Sequence, residues 1–162
     1  MKALIALACV LFAAPVWADA PQSACDWLRL AAPEAFLGAD LAYETRVEKA
    51  SDAMTLSVCS VTAPEGTSLT LLRRTVPGEA RAVSDLVAGY VAEQTALIGA
   101  DPGLAPRDLG DAALWDGTMR QLAIWSHQGQ VLMIFSGFGQ QAEAQETALA
   151  EAILAAGADP SP

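Results

Sequence analysis

The sequence predicts an α+β domain: a mostly antiparallel sheet with helices packed on it. Its elements read in the order helix, three strands, helix, three strands, helix, and runs of strands divided by single helices build sheets of this kind. Two late segments, around residues 122–125 and 131–135, are apolar at odd and even positions alike. Both their faces must then be covered, which places helices on both sides of the sheet. Hydrophobic residues make up 53% of the 162 and charged ones 17%, the balance of a packed domain and not of a disordered chain. That length suits one domain.

The first element is a targeting segment. Met1-Lys2 supplies one positive charge, an uncharged run fills 3–17, and Val16-Trp17-Ala18 offers small or medium residues where a signal peptidase reads. This is the anatomy of a secretory signal peptide, and the run is too short for a membrane helix of about 20 apolar residues. Pro21 sits poorly just after a cut at Ala20, so the expected cut lies between Ala18 and Asp19. A lipoprotein cut before Cys9 would strand the apolar 10–17 in the mature chain. The expected organisation is therefore a signal peptide at 1–18, one domain at 19–157 and a frayed tail at 158–162 rich in Pro. Asn is missing, Lys occurs twice and Ala is abundant, a bias of GC-rich bacterial coding, so the expected location is the periplasm or the outside, with no stable membrane span after cleavage.

Within the domain, Ser23 with Asp26 three residues on forms a capping box ahead of Trp27, Leu28 and Leu30. Pro33 opens a short turn that Gly38 ends. Residues 42–49 read as a strand of mixed polarity near an edge. In 53–62, Met54, Leu56 and Val58 alternate with Cys59 and Val61, and Pro64-Glu65-Gly66 turns the chain into a return strand at 68–75. The clearest helix follows, with Val83, Leu86, Val87, Tyr90, Val91, Leu97 and Ile98 on one stripe. A Gly/Pro-rich connection at 99–110 has no periodic pattern. Strands are expected at 112–115, 118–126 and 131–136, the last two joined at His127-Gln128-Gly129-Gln130, and an Ala-rich helix at 140–156 closes the domain before Gly157. Hairpin-then-helix thus occurs twice, without a shared residue pattern.

Cys25 and Cys59 remain after cleavage removes Cys9. An even pair in an exported chain reads as a disulfide, here pinning the N-terminal helix to the first hairpin. Closing a loop of roughly 35 residues stabilises by about 3–4 kcal/mol on chain entropy. A redox pair needs vicinal cysteines, and these are far apart.

Composition also narrows the chemistry. The formal charge is −10 with nine basic residues, which disfavours nucleic acid as a partner. Three Cys and one His leave no zinc site of the usual kinds. Asp101, Asp108, Asp111 and Asp116 lack the alternate-position spacing of a calcium loop, and Met119 and Met133 beside His127 read as strand residues before copper ligands. No metal or cofactor is expected. His127, the single imidazole, falls at a hairpin tip where nothing orients it, and no G-x-S-x-G accompanies it. Of the doublet Arg73-Arg74, adjacent strand residues face opposite ways, so one should be solvated and the other a partner for a carboxylate.

Early CDWL (25–28), the Gly-ended AFLG (35–38), a second Cys in the next hairpin and LGDAALW (109–115) before a hairpin and terminal helix resemble the PsbP-like α/β/α sandwich of small bacterial envelope proteins of unknown function. Where such relatives often carry C-x-W, this chain has Cys59-Ser60-Val61. The resemblance implies a binding or accessory role and offers no catalytic residue.

The functional expectation is an exported, non-enzymatic binding or accessory protein with an acidic surface and a cationic or envelope-protein partner. The alternatives are a carboxylate-dependent hydrolase and an assembly helper for an envelope complex. The expected binding lip is 99–117, because long connections without secondary structure inside a compact domain are often functional. There Leu104 and Trp115 stand among Asp108, Asp111 and Asp116, an apolar contact within a negative rim that steers cationic partners. The competing reading places Trp115 in the core beside Trp125.

Overall fold

A computed structural model describes residues 23–137 and 142–157. The expected signal peptide, its cleavage site and the C-terminal tail lie outside the described residues. The elements are α1 (Ala24–Leu30), α2 (Glu34–Leu37), β1 (Ala42–Ala50), β2 (Thr55–Thr62), β3 (Ser68–Thr75), α3 (Val83–Ile98), β4 (Ala105–Arg107), β5 (Ala112–Asp116), β6 (Gln121–Ser126), β7 (Val131–Gly137) and α4 (Ala142–Gly157). Among the described residues no helix is long and apolar enough to cross a membrane.

All seven strands form one sheet in the order β1-β2-β3-β7-β6-β5-β4, and every pairing is antiparallel. Two meanders, β1–β3 and β4–β7, meet at the β3–β7 pair, where Leu71 lies opposite Phe135 and Arg74 opposite Leu132. The α+β class and the antiparallel sheet are as the sequence indicates. Each meander is followed by a helix, which is the structural content of the twofold hairpin–helix pattern.

On one face, α1 and α4 bury Leu28, Leu149 and Ile153 against Val61, Leu71, Leu122, Ile124 and Phe135. The capping box at Ser23 and Asp26 is present, with both reciprocal bonds made. Two links then fasten α1 to β2. Ser57 Oγ accepts the Ala24 N–H at 2.8 Å, and a disulfide joins Cys25 to Cys59 across a Cα–Cα distance of 5.1 Å. On the opposite face α3 packs Leu86, with Val83, Val87 and Tyr90, onto Leu114, Ala123, Trp125 and Leu132. Strands β6 and β7 are therefore covered on both sides, which accounts for their unbroken apolar runs.

The structure differs from expectation at several places: the last residues of the α3 stripe, Leu97 and Ile98, are exposed, and three elements are bounded differently for a visible reason. The connection 99–110 is not wholly irregular, because residues 105–107 add a short edge strand against β5. Pro106 fits there, since an edge strand tolerates a missing N–H donor. Strand β6 begins at Gln121 and not at 118, because Asp116 holds the preceding turn: its Oδ1 accepts the N–H groups of Thr118 and Met119, both at 2.8 Å. Strand β2 begins at Thr55; Met54 stays in a turn in which Ser51 N–H donates to the Met54 carbonyl at 2.9 Å.

Candidate functional site

The residues expected to form a lip at 99–117 do not make one contact surface. Trp115 is 8% exposed and belongs to the core beneath α1 and α4. Its cross-strand neighbour is Leu122, whereas Trp125 sits on the other face with α3. The core reading for Trp115 thus holds with a different neighbour, because residue parity along two paired strands assigns the two indoles to opposite faces. Asp116 is 2% exposed and is committed to its turn. Asp111 accepts the Gly129 N–H at 3.2 Å and so ties the connection to the β6–β7 hairpin. Leu104 is half-buried against the α3 core, and Asp108 is exposed. Asp111 and Asp116 thus organise turns, and Asp111, like Asp108, is exposed.

A concavity among the described residues lies elsewhere. A cleft of about 260 Å³ opens between α3 and the α3-facing side of the sheet. Its floor is apolar, made of Leu86, Trp125 and Leu132. Tyr90, one helical turn beyond Leu86, meets Trp125 edge to face, with ring centroids 5.4 Å apart and an interplanar angle of 80°. Such pairs hold both rings in place. Burial raises the Tyr90 phenol above its usual range, and the charges of Asp116 and Glu93 push the same way, so Tyr90 keeps its proton and remains a donor. Gly89 lies on the same wall with nothing within 4 Å of a would-be Cβ.

Three charged side chains complete the lining. Arg81 is engaged with Glu79 through Nη2–Oε2 at 2.6 Å and Nε–Oε1 at 3.0 Å, and these bonds hold the Glu79 carboxyl down at about 2. Glu93 stands exposed at the rim. Arg74 comes from β3, flanked across the sheet by Leu56 and Leu132, and it joins none of the ion pairs between described residues.

The arginine doublet therefore splits as strand geometry requires, yet neither member pairs with a described carboxylate. Arg73 faces α1, where its guanidinium lies 5.0 Å from the Trp27 ring centroid, and burial lowers its pKa. The aromatic face takes the place of the expected carboxylate. His127 sits at the hairpin tip with φ 54°, exposed as expected. Neither Ser, Cys nor His lines the cleft, and no group of three or more His, Cys, Asp or Glu among the described residues is placed to hold a metal ion. The arrangement offers a cation, a phenol donor and an apolar floor, which suit holding a ligand.

No family model, curated protein or solved structure matches this chain.

Proposed function

We propose that the chain is an exported, non-enzymatic binding or accessory protein, and that its ligand site is the cleft between α3 and the sheet. The observation that carries this reading is Arg74: a half-buried guanidinium, without a carboxylate partner among the described residues, beside an aromatic pair and an apolar floor. Concave sites in which a few polar groups converge over an apolar base are where proteins hold small molecules, and this cleft exposes more polar than apolar surface. Export is supported by the signal-like segment at 1–18 and by a cross-link that oxidising compartments maintain. The resemblance to small envelope proteins of the PsbP-like kind agrees with an accessory role.

Amide chemical shifts of the isotopically labelled mature protein, followed during titration with a small-fragment library, test the site. Saturable shifts gathered at Gly89, Tyr90 and the Trp125 indole support it. Turnover of ester, glycoside or peptide substrates that disappears on changing one carboxylate would refute the non-enzymatic reading. Sequencing of the exported chain should begin at Asp19; Met1 or a lipidated Cys9 at the start would refute the proposed processing.

A further inference from the structure

Resting on the reading of the cleft as a ligand site, we infer that its ligand is a small organic monocarboxylate: a compact apolar body bearing one carboxylate, seated on Arg74. Charge selects the sign. Of the two guanidinium groups at the cleft, Arg81 already has Glu79 on two of its nitrogens, whereas Arg74 is in no ion pair between described residues. Arginine presents a planar fork that matches a carboxylate through two parallel bonds. Leu56 and Leu132 on the neighbouring strands lower the local dielectric, which strengthens such a pair.

Charge also limits the ligand to one negative group. Glu93 stands at the rim and the chain carries −10 overall, so the guanidinium of Arg74, unpaired among the described residues, balances a single carboxylate and leaves the second charge of a dianion such as phosphate repelled. Size sets the body. A volume of about 260 Å³ has room for one ring or a branched chain. The floor of Leu86, Trp125 and Leu132 takes the apolar part, and Tyr90 lines the same cleft.

The test is a titration of the labelled mature protein with phenylacetate, benzyl alcohol, benzylamine and inorganic phosphate, read at the Gly89 amide and the Trp125 indole. Phenylacetate should saturate these shifts at millimolar concentration or below, and the other three should not. Arg74→Gln should weaken phenylacetate by at least about tenfold, the loss expected when a charge-assisted bidentate pair is removed. Arg74→Lys keeps the charge and the stem but not the fork and should fall between. That variant retains the test if the glutamine variant folds poorly. Equal binding of the alcohol or the amine would overturn the ligand class and leave the cleft as a site. Undiminished phenylacetate binding by both variants would overturn the role of Arg74. No shift at the cleft from any of the four probes would overturn both the inference and the binding reading beneath it.

Discussion

Gly137 lies against the Glu146 carboxyl group, so close that a Cβ at 137 would come within 2.7 Å of Glu146 Oε1. The helix α4 carries this acid inward, 0% exposed; neither oxygen makes a well-aligned hydrogen bond among the described residues, and the backbone N–H groups of Gly137 and Leu122 interact with it only weakly. Burial pushes its pKa up to about 8, the nearby backbone of Gly137 and Leu122 offsets part of the rise, and Glu143 adds to it. Glu146 is thus a buried, protonated acid at neutral pH, a state favoured wherever a charge has no partner.

Stability should fall as pH rises from about 4.5 to about 8. In that window the unfolded chain releases the Glu146 proton and the folded chain keeps it, so raising the pH favours unfolding. The contribution is present in full below the unfolded pKa and is lost as pH passes the folded one. At its steepest the loss is about 1.4 kcal/mol per pH unit, and a few kcal/mol across the window. Urea midpoints of the wild type and Glu146→Gln at several pH values check this. The variant should flatten the slope through the window, and parallel curves would refute the buried acid.

Much of the fold was legible because its signals are local. Ser23 and Asp26 announce α1, the stripe from Val83 to Ile98 announces α3, and Pro64-Glu65-Gly66 announces the β2–β3 turn. What escaped depends on pairing between distant segments. Three residues, 105–107, carry no periodicity, so β4 is visible only against β5. The faces of Trp115 and Trp125 follow from the β5–β6 register. The cleft was illegible for the same reason: Arg74 comes from β3, Tyr90 from α3, Trp125 from β6 and Leu132 from β7, and they meet only through the β3–β7 and β6–β7 pairings and the packing of α3 on the sheet. The one local hint was Tyr90 and Glu93, a turn apart on the same helix.

Reducing the Cys25–Cys59 bond should destabilise the fold by about 3–4 kcal/mol, the loop-entropy value for a separation of 34 residues. Both cysteines are buried, at 4% and 0% exposure, so reductant should act mainly through unfolding. Denaturant midpoints with and without reductant give the size of the effect. Mass spectrometry without reductant should show the pair joined, and two free thiols in exported protein would contradict it.

Gly129 and Gly89 should respond to alanine in opposite directions. Gly129 has φ +81°, and a Cβ there would stand 2.6 Å from Leu86 Cδ1. Gly129→Ala therefore meets left-handed strain of about 1–2 kcal/mol and overpacking of about 1–3 kcal/mol against α3. Combining it with Leu86→Ala should cost less than the sum of the two single changes, since the second removes the overlap. Gly89 lies in the helix interior with open space around it, and Gly89→Ala should stabilise by about 0.5–1 kcal/mol. Chemical denaturation of the four variants measures all these differences.

Trp115→Ala separates the core from the binding lip that its sequence neighbourhood suggests. The indole is 8% exposed and shares its cluster with Leu122, Ile124 and Ala113, so truncation opens a large cavity under α1 and α4. The expected loss is about 3–5 kcal/mol, enough to consume a large part of the stability of a domain this size. A lip residue behaves differently, leaving the denaturation midpoint in place and weakening capture of a cationic partner most at low salt, where the attraction is least screened. Asp108→Ala is the matched control: exposed on the same connection, it should leave stability within about 0.5 kcal/mol. A Trp115→Ala protein as stable as the wild type would remove the indole from the core and return it to the surface.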